Sequence, residues 1–112
     1  MEVMWDEFAG LLKESRAKLE LTAVYPKERI PWRQPKLLDD NIATGVVEAL
    51  LVVDQYEELE FFIPNPATPR FDLDVSIGNQ IYELTIVQDH VRLGLTWYYN
   101  KDGELSRLLS NV

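Results

Sequence analysis

The chain has 112 residues, 46% of them hydrophobic and 11% aromatic, which is enough apolar surface to offset the entropy of ordering and predicts one globular domain over 1–112. Eleven Lys and Arg stand against 19 Asp and Glu, a net charge of −8, which argues against binding by phosphate neutralisation and against anionic membrane surfaces. The lack of cysteine removes disulfides, thiolate metal sites and cysteine nucleophiles, and no apolar run approaches the roughly 18 residues of a membrane span, so a cytoplasmic protein without a cofactor is expected.

Val3, Met4 or Trp5, Phe8, Leu11, Leu12 and Leu19 recur at three- and four-residue steps, with Glu2, Asp6, Glu7, Lys13, Glu14 and Lys18 on the other side. That spacing predicts an amphipathic helix over residues 2–18, its acids in the first turns and its bases in the last, as the helix dipole favours. Leu19 to Tyr25 alternates and stops at Pro26, so a short strand is preferred to a continued helix. Pro26, Pro31 and Pro35 exclude a helix or a central strand around Trp32, which is expected to fold back as a plug over an element edge.

Over residues 40–55, Asp39 or Asp40 can cap a helix whose apolar face is Ile42, Val46, Val47, Leu50 and Leu51. The β-branched content would suit a strand, but both faces would then be apolar, so helix is preferred. From Tyr56 to Ile63 the acids Glu58 and Glu60 alternate with Leu59, Phe61 and Ile63, a strand closed by Pro64.

Phe71, Leu73, Val75 and Ile77 alternate with Asp72, Asp74 and Ser76, and Gly78-Asn79 then supplies a two-residue hairpin turn. Pairing Ile77 with Gln80 sets Val75 opposite Tyr82, Leu73 opposite Leu84 and Phe71 opposite Ile86. A second turn at Asp89-His90 would pair Gln88 with Val91, placing Ile86 against Leu93, Leu84 against Leu95 and Tyr82 against Trp97. In that register Trp97 and Tyr99 point into the core and Tyr98 faces outward. Asn100 to Gly103 is a further turn, and Glu104 to Leu109 a short closing helix or strand. The expected fold is α+β and two-layered, with the N-terminal helix and the helix near 40–55 packed on one face of an antiparallel β-meander. The order of a helix and then a long meander resembles the cystatin-like and NTF2-like cones in topology alone, which transfers no function.

On the outward face Asp74 falls opposite Glu83 and Asp72 opposite Thr85, so like charges become neighbours with no Lys or Arg placed to neutralise them. Glu58 and Glu60 join this surface if their strand pairs alongside. A solvated face on an acidic protein is the plainer explanation. The functional one is a docking surface of Glu58, Glu60, Asp72, Asp74 and Glu83, with Tyr98 as an aromatic anchor and Phe62 as a second candidate. Residues 1–38 balance to +1, so the rest of the chain carries −9 and the negative field belongs to the sheet half. There is no GxxxxGK[ST], GxGxxG, HExxH or GxSxG. His90 beside Asp89 has no nucleophile placed near it, and Asp72, Asp74 and Glu83 sit in no cation-binding loop.

The expected function is therefore that of a non-enzymatic interaction protein that occludes a basic site on a partner protein, as an inhibitor, an immunity protein or a mimic of nucleic-acid charge. The partner would be a basic protein such as a nucleic-acid-handling enzyme or toxin, without direct contact to nucleic acid or membrane. The alternative is a small-ligand-binding or enzymatic cone whose pocket lies between sheet and helices, lined by Tyr82, Trp97, Trp5 and Phe8. A structural subunit assembling through a sheet edge or the N-terminal helix is a third possibility.

Overall fold

The computed structural model describes residues 3–14, 16–25, 36–65 and 68–110; Trp32 and its expected plug lie outside them. In chain order the elements are α1 (Trp5–Glu14), β1 (Ala17–Tyr25), β2 (Lys36–Leu37), α2 (Asp40–Leu51), a 3₁₀ turn (Val53–Gln55), β3 (Tyr56–Leu59), β4 (Arg70–Ile77), β5 (Gln80–Val87), β6 (His90–Leu93), β7 (Thr96–Asn100) and α3 (Glu104–Leu109). The strands form one open antiparallel sheet in the order β2-β1-β4-β5-β6-β7-β3, and the fold is α+β.

The first helix buries Trp5, Phe8, Ala9 and Leu12 and is shorter than its periodicity suggests, because Ala17 already pairs with Ile77 at the start of β1. The segment 40–55 is a helix through Leu51. Asp39 caps it, its Oδ1 accepting from the Asn41 N–H at 2.9 Å. At the other end the last carbonyls of an α-helix lack i+4 partners; that of Ala49 accepts from the Val52 N–H at 3.4 Å, and side chains supply further donors. The Tyr56 hydroxyl donates to the Ala49 carbonyl at 2.9 Å, and the Trp5 indole N–H donates to the Leu50 carbonyl at 3.1 Å. The two rings stack at 3.9 Å, and burial first, then the nearby Asp102 charge, holds Tyr56 in its protonated, donating form. Gly45 lets α3 approach, since a Cβ there would lie 3.3 Å from Leu108 Cδ2. Leu105 and Leu109 of α3 are buried in the same core.

The β4–β5 hairpin has the register expected from Gly78-Asn79, with Ile77 opposite Gln80, Val75 opposite Tyr82, Leu73 opposite Leu84 and Phe71 opposite Ile86. On the other side of β4, Leu21 pairs with Leu73 and Leu19 with Val75, so three strands bring apolar side chains under the helices.

Beyond β5 the register differs from expectation. The turn falls one residue earlier, at Gln88-Asp89, with Gln88 at φ 53°, so Val87 pairs with His90, Ile86 with Val91 and Leu84 with Leu93. A further reversal at Gly94-Leu95, where Gly94 has φ 63°, divides the expected long strand into β6 and β7. That turn sets Thr96 opposite Leu93, and the alternation restarts with Thr96 and Tyr98 inward. Tyr98 is therefore 3% exposed under α1, while Trp97 and Tyr99 lie on the opposite face.

β3 is also shorter than the expected 56–63 strand. It pairs with β7 at the sheet edge, and β5, β6 and β7 separate it from β4. The chain leaves the sheet after Leu59 and turns onto the face away from the helices. Phe62 stacks there on His90 at 3.8 Å and meets the edge of Trp97 at 4.9 Å.

Candidate functional site

All three helices pack on one face of the sheet, so the other face carries the alternate residue of every strand. Its shape follows from the register. Glu20 of β1 pairs with Asp74 of β4, and Asp74 with Glu83 of β5, which makes a row of three carboxylates perpendicular to the strands. Paired side chains on one face stand about 5 Å apart at Cβ. The Asp74 carboxyl is consequently pushed above its ordinary pKa, by partial burial first and then by the charges of Glu83, Glu20 and Asp72. The neighbouring row is Asp72, Thr85, Arg92 and Trp97, with the Arg92 guanidinium 5.5 Å from the centre of the Trp97 ring and 3.4 Å from Thr85 Oγ1. Farther along, Phe62 covers His90, and Val87 beside them is 2% exposed.

The structure brings Asp72, Asp74 and Glu83 together and adds Glu20, which sequence reasoning missed because no turn signal ties β1 to β4. Asp72 is not unneutralised: Arg70 Nε and Nη2 donate to its two carboxylate oxygens, each at 3.0 Å. Arg70 stands two residues before Asp72 in an alternating strand, so this pair was readable from spacing alone. Lys18 Nζ lies 3.4 Å from Glu20 in an exposed pair of the kind worth little. Asp74 and Glu83 have no cationic partner among the described residues.

The other expected members stand elsewhere. Glu58 is exposed on β3 at the far edge, opposite Tyr98 on the helix side of the sheet, and Glu60 is exposed just beyond it. Tyr98 is no outward anchor. Its hydroxyl accepts from the Trp5 N–H at 3.2 Å and reaches Met4 Sδ at 3.9 Å, supplying an acceptor at the open N-terminus of α1. Phe62 is spent on His90 and Trp97, whereas Phe61 and Ile63 on either side of it are 75% and 81% exposed.

His90 Nδ1 lies 3.1 Å from Asp89 Oδ1, an arrangement that orients the ring against Phe62. Among the described residues no three His, Cys, Asp or Glu side chains are placed to hold a metal ion. The four aromatics expected to line one pocket do not do so: Trp5, Phe8 and Tyr82 pack on one another at 5.5–5.6 Å in the core, and Trp97 is on the other side of the sheet. No helix among the described residues is long and apolar enough to cross a membrane. In comparisons with known proteins no family model, curated protein or solved structure matches this chain, so the likeness to the cones stays one of element order.

Proposed function

We propose that this protein acts by binding, and that the outer sheet face around Glu20, Asp74 and Glu83 docks on a basic site of a partner protein and occludes it. The observation that carries this reading is the row of three carboxylates, one per strand, in which Asp74 has its pKa raised by partial burial first and then by the charges of Glu83, Glu20 and Asp72. Repulsion of that kind opposes folding, so a face selected for stability alone would have mixed its charges. The net charge of −8 acts in the same direction, since a negative field speeds encounter with a positive partner. Inhibition, immunity to a toxin and imitation of nucleic-acid charge are the biological forms such occlusion takes.

The experiment is binding to an immobilised basic protein of the nucleic-acid-handling kind at low and high salt, with Asp74→Lys and Glu83→Lys as variants. Each reversal is expected to lower affinity at least about ten-fold at low salt, equivalent to about 1.4 kcal/mol, and the wild-type affinity is expected to fall as salt rises. Binding that ignores both salt and charge reversal overturns the proposal.

A further inference from the structure

The β4–β5 hairpin runs past the end of β6, and this leaves a step in the middle of the sheet. β6 pairs with β5 only from Val87 to Leu84, because the chain reverses at Gly94-Leu95. Gln80 to Glu83 therefore have β4 on one side and, among the described residues, no strand on the other. The direction of the backbone groups follows from the turns. A two-residue hairpin ties Ile77 to Gln80 through both hydrogen bonds, and the pattern alternates, so Gln80, Tyr82 and Leu84 use their N–H and C=O on β4. Ile81 and Glu83 turn theirs to the β6 side. The Gln88-Asp89 turn gives the same phase from the opposite end, since Val87 and Thr85 face β6. Among the described residues no backbone partner reaches Ile81 or Glu83 on that side. A groove of about 320 Å³ lies along this edge, with Val3, Tyr82 and Leu93 on its apolar side and Glu83 on its polar side, and Ile81 at its rim is 63% exposed.

We infer that the β5 edge from Gln80 to Glu83 takes an extended segment of the partner as an added strand, with basic and apolar residues alternating. This rests on the docking reading of the acidic face and specifies how the partner engages it. A residue placed opposite Glu83 extends the row Glu20, Asp74, Glu83 on the outer face, where Arg or Lys relieves the repulsion of three carboxylates. The next residue, opposite Tyr82, shares the inner face and meets Val3 and Leu93, which suits an apolar side chain. Backbone bonds at Ile81 and Glu83 supply affinity, and the alternate side chains supply selectivity. A second copy of this chain is the poorer occupant, since its own Asp74 and Glu83 would bring like charges to the row.

The test uses the full chain, a short peptide of alternating arginine and valine, and the same peptide N-methylated on alternate backbone nitrogens, which keeps the charge and removes the donors. The unmethylated peptide is expected to slow amide exchange at Ile81 and Glu83 and to bind about ten-fold or more tighter than the methylated one, the scale of one or two lost backbone hydrogen bonds. Ile81→Pro deletes an N–H that β4 does not use, so binding should fall with the melting temperature little changed. Equal binding of both peptides, without protection of the two amides, overturns the added strand and leaves the acidic face standing. Loss of binding in Glu83→Lys but not in Ile81→Pro has the same meaning. Protection that appears without peptide as protein concentration rises makes a second copy the occupant and overturns the inference. Binding unaffected by Asp74→Lys and Glu83→Lys instead removes the docking reading beneath it.

Discussion

Asp74 is harder to ionise in the folded protein than in the unfolded chain. Partial burial, then Glu83, Glu20 and Asp72, raise its pKa above the ordinary 3.8. The native state thus holds this proton more tightly, so the contribution of Asp74 to stability declines as pH rises from 3.8 through the raised value and is flat beyond it. Asp74→Asn should accordingly stabilise the protein at neutral pH by about 0.2–1 kcal/mol, the worth of a like-charge pair across strands, and this gain should vanish below the window. Urea denaturation of both proteins at neutral and acidic pH measures it. An Asp74→Asn variant destabilised at neutral pH would mean that the carboxylate makes a structural bond and would weaken its assignment to docking. Tyr98 shows the opposite division of labour, because its ring and hydroxyl hold Trp5 and Met4 and leave nothing for a partner.

Among the elements, the β6–β7 turn decides most about the site. It ends β6 at Leu93, opens the β5 edge, and sends Trp97 rather than Tyr98 to the outer face. Gly94 makes this possible because φ 63° is a conformation that a side chain resists. Gly94→Ala should cost about 1–2 kcal/mol in chemical denaturation. Gln88, which adopts φ 53° without being glycine, should respond in the other direction, with Gln88→Gly gaining several tenths of a kcal/mol or more. Equal effects at the two positions would show that strain at these turns does not set the register. The chain beyond β3 acts on the same face from the other end, by seating Phe62 on His90 and Trp97.

For the molecule as a whole, the charge of −8 couples folding and binding with opposite signs. Repulsion within the acidic face opposes the folded state, and attraction to a basic partner favours the complex. Salt screens both, with a Debye length of about 10 Å at 0.1 M. Raising salt through that range should increase the melting temperature while reducing affinity for a basic protein, and paired thermal melts and titrations would show the two curves diverging. A melting temperature that falls with salt would mean that ion pairs such as Arg70 with Asp72 outweigh the repulsion.

The parts of the fold readable from sequence are those whose signal lies within one element or one turn. The face of α1, the Asp39 cap of α2, and the β4–β5 register from Gly78-Asn79 depend on spacings of a few residues, and the cross-strand approach of Asp74 and Glu83 follows from that register. Arg70 beside Asp72 was equally legible, since residues two apart in a strand share a face. Glu20 joining the row, Glu58 standing at the far edge and Tyr98 turning inward were not. Alternation says which side chains of a strand point the same way, but it does not say which strands become neighbours, and a two-residue reversal inside an apolar run changes which residues face inward. Those choices were made by burial: β1 lies against β4 because Leu19 and Leu21 meet Val75 and Leu73 under the helices, and Tyr98 faces inward because α1 offers it Trp5.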